Sequence, residues 1–329
     1  RLSVEQSGDT VLRVMPDDLR VMITEMLQRV DVPEGDAARI AECLVQVDMR
    51  GVFSHGTLAV RRYVDEYKSG IINRQPTLSI VRESASTATL DGGGGLGYLV
   101  ATRATEIATT KALKNDIAMV GTHHHGHVGS LGIYARMLLH DSLACFAVAA
   151  TRSWRPPRQG PSTTIYDAVN YPAMCFGIPS ADGPPFVLDM NANLFDREAL
   201  ELAMQHFPTG VFKGLGITYV ATLLGGLLAG ALPAGTTGAP YTAATRGLLI
   251  IAFRPDVFGD PTTFRADVTR VIAESRKLAP MPGQDSAELA GTLEWQRERA
   301  WADAGVPLEP THAALLEDVA SELGVAVPW

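Results

Sequence analysis

Between residues 79 and 253 the chain returns repeatedly to short apolar runs, set apart by glycine-rich turns or by helical stretches. Runs of this length read as buried strands, and strands alternating with helices specify an α/β fold. The expected strands are 79–82, 87–91, 117–122, 143–150, 174–178, 186–190 and 247–253. Helical spacing dominates both ends. Leu19, Met22, Ile23, Met26 and Leu27 recur at three- and four-residue intervals after Pro16, and Ala37, Ile40, Ala41, Leu44 and Val45 line a second helix after Pro33. Further helices are expected over 56–68, 99–114 and 131–140, and through most of 264–325 with breaks near 280–283 and 305–307. Residues 1–15 carry no pattern and are expected to be loosely held.

At 329 residues there is room for two domains, and 46% hydrophobic residues against 19% charged is the balance of a globular protein with a core. A net charge of −8 argues against nucleic acid or an anionic membrane as partner, because each needs a concentrated basic face. Arg152, Arg155 and Arg158 form a basic cluster too small to reverse this. Cys43, Cys145 and Cys175 are scattered and lack metal-ligand spacing, so they read as reduced, buried thiols of a cytoplasmic protein. No charged-then-apolar leader opens the chain at Arg1. Residues 214–232 are just long enough to cross a bilayer, but five glycines favour a buried helix with close packing.

Two histidine motifs carry the chemistry. Ser54-His55-Gly56 is expected at a helix entry, where the N-terminal field lowers an imidazole's pKa and suits it to donate a hydrogen bond while neutral; the plain alternative is a capping residue satisfied by backbone. The run 122–129, THHHGHVG, holds four histidines in five positions. A metal site there would need a further ligand from elsewhere, and no metal is expected. The preferred reading is a strand ending in a glycine turn that lifts His127 to the strand's C-terminal edge, where functional groups of α/β proteins collect. The glycine cluster 92–97, GGGGLG, lacks the spacing of a dinucleotide fingerprint and reads as a tight turn. Lys213-Gly214, at the expected start of the apolar helix, is a candidate anion site.

In their order, these motifs resemble the type-2 malate/L-lactate dehydrogenase family. The resemblance is carried by Asp48-x-Arg50-Gly51-x-x-Ser54-His55-Gly56, Asp91-Gly92 with Gly95 and Gly97, and Gly126-His127-Val128-Gly129-x-Leu131-Gly132-x-Tyr134-Ala135. Asn170-x-Pro172, Val187-Leu188-Asp189, Lys213-Gly214 and Pro282-Gly283 follow in register. It implies a non-Rossmann α/β fold, a mixed sheet flanked by helices with helical N- and C-terminal sections, and a homodimer. The expected division is a loose segment 1–15, a helical domain 16–62, a main body 63–135 with 255–329, and a shortened cofactor-type lobe 136–254.

The resemblance further implies reduction of an oxo or imino group in a small, anionic metabolite with NADPH or NADH, in a biosynthetic setting. His127 would act as general acid and His55 would orient substrate or share the proton, with Ser54 fixing its tautomer. The nucleotide would meet Lys213, Asn170 and Asp189. The chain departs from the family where an arginine normally follows the motif histidine by four residues: that position is Ala59. Arg61, Arg62 or Arg152 would then meet the substrate's anionic group. Segments 152–169 and 189–213 also depart from the pattern, the latter by shortening. Two alternatives follow: acid–base chemistry without nicotinamide (isomerisation, cyclisation or elimination), or a binding subunit without catalysis.

Overall fold

The computed structural model describes residues 11–151, 164–166, 168–169, 171–231 and 240–329. Two compact units emerge: residues up to Asp65 with Gln296–Trp329, and Glu66–Trp295. The boundary at Asp65 lies close to the expected 62, while Gln296–Trp329, expected with the main body, groups with the N-terminal helices.

In the first unit, α1 (Pro16–Gln28) and α2 (Glu34–Met49) bury the periodic residues read from the sequence, Leu19, Met22, Ile23, Met26, Ile40, Ala41 and Leu44 among them. Proline opens α1 at a position where the missing N–H has no helical partner to lose. Two one-turn 3-10 segments, Phe53–His55 and Thr57–Ala59, lead into α3 (Val60–Lys68). The C-terminal helix (Pro310–Leu323) ends at Gly324 in the left-handed conformation (φ 66°), a C-terminal stop that glycine makes without strain. Leu12–Val14, in the stretch expected to be loose, is a strand, β1. It pairs antiparallel with β9 (Val306–Leu308), and both bury apolar side chains. Three residues give too short a run to carry a detectable period, and the pairing partner lies at the far end of the chain.

The second unit is built on one seven-stranded sheet, in the order β2 (Ser79–Glu83), β3 (Thr87–Asp91), β4 (Ile117–His125), β8 (Arg246–Phe253), β5 (Ala144–Thr151), β6 (Ala173–Ile178) and β7 (Phe186–Asn191). Only β3 and β4 run parallel, joined by α4 (Gly97–Asn115); the other neighbours are antiparallel, so the sheet is mixed. Alternate residues of β4, β8 and β5 in register, such as Val120, Ile250 and Ala147, are sealed, and α4 and α5 (Gly132–His140) pack on the sheet. Val148, Leu249, Met174 and Ala221 form a core cluster with Phe146 and Ile251 beside it.

The apolar segment begins earlier than expected. α7 runs Pro208–Ala221 and continues as a π-wound stretch Thr222–Leu228. It passes the length and composition test for a membrane span. It nevertheless lies against the sheet: a Cβ at Gly225 would stand 2.8 Å from the Val148 carbonyl oxygen, and one at Gly226 2.5 Å from that of Thr151. The glycines therefore allow helix and strand backbones to touch. Phe212, Val220, Leu223 and Leu228 on the same segment are exposed, so the burial expected for it holds on one face only. The stretch 189–213, read as shortened against the family pattern, contains α6 (Arg197–His206), capped by the Asp196 carboxylate on the Ala199 N–H.

Candidate functional site

The histidine run lies at the C-terminal end of the parallel pair β3–β4, and the imidazoles of His124, His125 and His127 are held in different ways. The glycine cluster 92–97 lies alongside it and binds it through backbone. Gly92 and Gly94 donate to the carbonyls of His123 and His124, Gly126 donates to Gly95, and Gly97 donates to His127 at 3.0 Å. A Cβ at Gly97 would meet the Gly126 and His127 carbonyl oxygens at 2.7 Å each. The cluster is thus a close-fitting seat for the histidine turn, which is more than the tight turn read from its composition.

His125 is buried. Its Nδ1–H donates to the Gly126 carbonyl (2.9 Å), which can only accept, and Nε2 therefore accepts from the Thr122 hydroxyl (2.8 Å). Burial pushes its pKa down to about 4, so it is neutral. His124 occupies left-handed backbone (φ 55°) and places Nδ1 2.9 Å from the Asp91 carboxylate, which also accepts the Gly93 N–H. Among the described residues no group of three His, Cys, Asp or Glu side chains could hold a metal ion.

His127 is half-buried just beyond the strand. The Gly129 N–H points at its Nδ1 (3.3 Å). An amide can only donate, so Nδ1 accepts and the neutral ring carries its hydrogen on Nε2. Gly129 needs glycine twice over: φ is 70°, and a Cβ would enter the Tyr98 ring. The turn is tied further by the Tyr134 hydroxyl on the Val128 carbonyl (2.7 Å) and by Asp189, whose Oδ2 accepts from Ser130 Oγ (2.6 Å) and from the Gly132 N–H (2.7 Å). Asp189 thereby caps α5 from a neighbouring strand.

In the first unit, Ser54 Oγ lies 3.0 Å from His55 Nδ1, the contact expected of it. The helix-entry reading of His55 is corrected. It closes a one-turn 3-10 segment, and the long helix begins only at Val60, so the N-terminal field invoked for it is not at hand. What holds this turn is a buried polar chain missed in the sequence. Asp48 accepts from the Thr57 N–H (3.1 Å) and from its hydroxyl, and His312 Nε2 lies 2.8 Å from that hydroxyl oxygen. With the single Thr57 hydroxyl hydrogen directed at Asp48, the His312 Nε2–H is the donor. Burial raises the Asp48 pKa to about 7 and lowers that of His312 to about 4.

The Malate/L-lactate dehydrogenase family model matches residues 14–206 and 196–317. The chain belongs to this family. Its sequence is 26% identical over 343 residues to the L-sulfolactate dehydrogenase of Methanocaldococcus jannaschii, covering 95% of this chain and 97% of that protein. It is 31% identical over 194 residues to the malate dehydrogenase of Pyrococcus abyssi, which is 59% of this chain and only 52% of that one. The structure of malate dehydrogenase from Pyrococcus horikoshii OT3 superposes with a TM-score of 0.82, covering 98% and 99% of the two chains at 24% identity, which carries the fold. The chain is therefore a member of a family of dehydrogenases with the mixed α/β fold expected from its motifs.

Other positions singled out from the family pattern stand less well. Arg61 is surrounded by carboxylates: Asp318 at 2.8 Å, Asp65 at 3.6 Å, and Glu322. Arg62 lies over the Tyr63 ring, 4.9 Å from its centroid. Arg152 and Asn170 fall outside the described residues. Lys213 is exposed in the second turn of α7, beyond a first turn in which Pro208 has no N–H and the Gly210 and Val211 amides already donate to the Phe207 carbonyl; the helix-start anion site expected of it is corrected accordingly. A dinucleotide carries phosphates that need cations or open N–H groups. Of the helix ends beside the histidine turn, that of α5 already caps on Asp189, and the Gly97 N–H of α4 already bonds His127. Of the residues assigned to the nucleotide, Lys213 thus lies in the second turn of its helix and Asp189 is engaged by Ser130 and Gly132.

Proposed function

We propose that this chain is an NAD(P)H-dependent reductase of an oxo or imino group in a small, anionic metabolite, cytoplasmic and biosynthetic, with His127 meeting the oxygen or nitrogen that is reduced. The observation that carries this reading is the Gly129 N–H on His127 Nδ1. It presents Nε2–H as a fixed donor at the C-terminal edge of the sheet. A neutral imidazole held this way polarises a carbonyl or imine and stabilises the charge that develops on its heteroatom. To act as a full general acid the ring would have to gain a proton at Nδ1 and give up the Gly129 bond, so hydrogen bonding is its main contribution. His55, with Ser54 on its Nδ1, is the second imidazole of this reading.

His127→Ala is expected to lower turnover of a 2-oxo acid at least about 100-fold, and His127→Gln, which keeps an N–H, to lower it less. A His127→Ala protein keeping more than about a tenth of the rate would remove His127 from the chemistry.

Two observations favour a second reading, an acid–base enzyme without nicotinamide on the same scaffold: Lys213 sits away from its helix end and Asp189 is engaged by Ser130 and Gly132. Titration with NADPH and NADH, followed by nicotinamide fluorescence and thermal shift, separates the two. Saturable micromolar binding supports the reductase; no binding at millimolar nucleotide supports the acid–base enzyme.

A further inference from the structure

Asp189 stands on β7, the edge strand of the sheet, 62 residues beyond His127 in sequence, yet it holds the far end of the histidine's own turn. We infer that Asp189 is a positioning residue for His127, acting through Ser130 and Gly132, and not a contact of the nucleotide. The inference rests on the reading of His127 as the substrate-facing donor.

Both bonds from the turn fall on one oxygen, Oδ2, at 2.6 and 2.7 Å, distances proper to charge-assisted hydrogen bonds. They bracket Leu131, and the N–H that fixes the His127 ring belongs to Gly129, one residue before Ser130. The turn between them has little freedom left. His127 O is bonded by the Gly97 N–H, Val128 O by the Tyr134 hydroxyl, and Gly129 abuts Tyr98. Releasing Ser130 and Gly132 leaves the Gly129 amide tied on one side only, and the 3.3 Å contact to Nδ1 is the longest in the set and the first to open. A carboxylate at the first turn of α5 is also where the helix field favours negative charge. A phosphate brought to that amide would have to displace Asp189 and face its repulsion.

The test uses the intact protein and three variants, Asp189→Ala, Asp189→Asn and Ser130→Ala, with the His127 ring followed by its 13C–1H correlation, assigned by its loss in His127→Ala. Asp189→Ala is expected to displace the His127 signal and leave that of His55 in place. It should lower turnover of a 2-oxo acid at least tenfold, with KM and the Kd for NADPH or NADH changed less than threefold. Asp189→Asn, which keeps an acceptor oxygen, should restore part of the signal position and rate; Ser130→Ala, which removes one of the two bonds, should fall between. If Asp189→Ala does not fold, the two milder variants decide. A His127 signal unmoved in the variants that fold overturns the inference, and so does a tenfold rise in nucleotide Kd with that signal unmoved. Should the wild-type protein bind neither nucleotide, the reductase reading fails on its own, and the His127 signal still decides whether Asp189 positions it.

Discussion

The two units solve one problem, holding an imidazole in a turn, by different means. Around His55 the turn is fixed by side chains: a buried carboxyl, a hydroxyl and an imidazole in series, Asp48, Thr57 and His312. Around His127 it is fixed mainly by backbone, with glycine amides and carbonyls laddered against residues 123–127. A side-chain chain titrates and can be dismantled one group at a time. A backbone ladder neither titrates nor tolerates a single added carbon. The His55 turn should therefore answer to pH and to substitution of distant residues, and the His127 turn to substitution of glycine.

Adding one methyl group in each turn is the sharpest way to break the comparison. Gly97→Ala puts a Cβ 2.7 Å from the Gly126 and His127 carbonyl oxygens and 2.6 Å from Val128 Cγ1. Gly56→Ala drives its Cβ into the Asp48 carboxylate, 2.7 Å from Cγ. Each is expected to destabilise by about 2–4 kcal/mol in denaturant unfolding. The difference lies in relief. Asp48→Ala clears the obstacle at Gly56, so the double variant should cost at least about 1 kcal/mol less than the sum of the singles. Beside Gly97, cutting back Val128 would still leave the Gly126 and His127 carbonyl oxygens at 2.7 Å, so no such relief is expected there. Strict additivity of Gly56→Ala with Asp48→Ala would refute the side-chain account of the His55 turn.

The next effect is one of pH. Asp48 has a folded pKa of about 7 against an ordinary 3.8, so between these values the folded state holds a proton that the unfolded state has released. Stability from this group therefore falls as pH rises from about 4 to 7. His312 and His125, held neutral with pKa values of about 4, act in the opposite sense. They stabilise above the ordinary 6.5, and that contribution is lost as pH falls toward 4. Asp48→Asn removes the first slope and keeps the other two. The stability of Asp48→Asn relative to wild type should climb across pH 4–7, and equilibrium unfolding at three or four pH values measures it. A flat difference would mean that Asp48 ionises at its ordinary pH and that burial does not govern it.

Much of this was legible beforehand, for physical reasons that differ by region. The helices of the first unit and the strands of the second announced themselves through burial period, and the placement of His127 followed from a strand ending in glycines. What escaped were partnerships across long stretches of chain. Thr57 meets His312 across 255 positions, and β1 finds β9 near the far terminus; no local pattern encodes either. Asp189 was singled out, yet its local sequence carries no sign that its oxygen would cap a helix 57 residues earlier. The helix dipole assigned to His55 failed for a local reason: Gly56, with ψ of −140°, interrupts the helical path, so two 3-10 turns precede the helix proper.

The smallest effect concerns the anionic group of the proposed substrate, with Ala59 at the position where the family resemblance leads one to expect arginine. Arg61 is near in sequence, but its guanidinium is bound to Asp318 and Glu322 and faces Asp65. A substrate carboxylate would have to compete with those already present and would enter a neighbourhood of net negative charge. Asp318 and Asp65 are well exposed, so the network contributes little to stability: Arg61→Ala should cost under about 1 kcal/mol. It should also leave the KM for a 2-oxo acid within threefold of wild type. A tenfold rise in KM with unchanged stability would show that the guanidinium leaves its carboxylates to grip substrate. The Arg61 ion pairs would then be a resting arrangement, and Arg61 would do from two residues further on what the resemblance expects of an arginine at position 59.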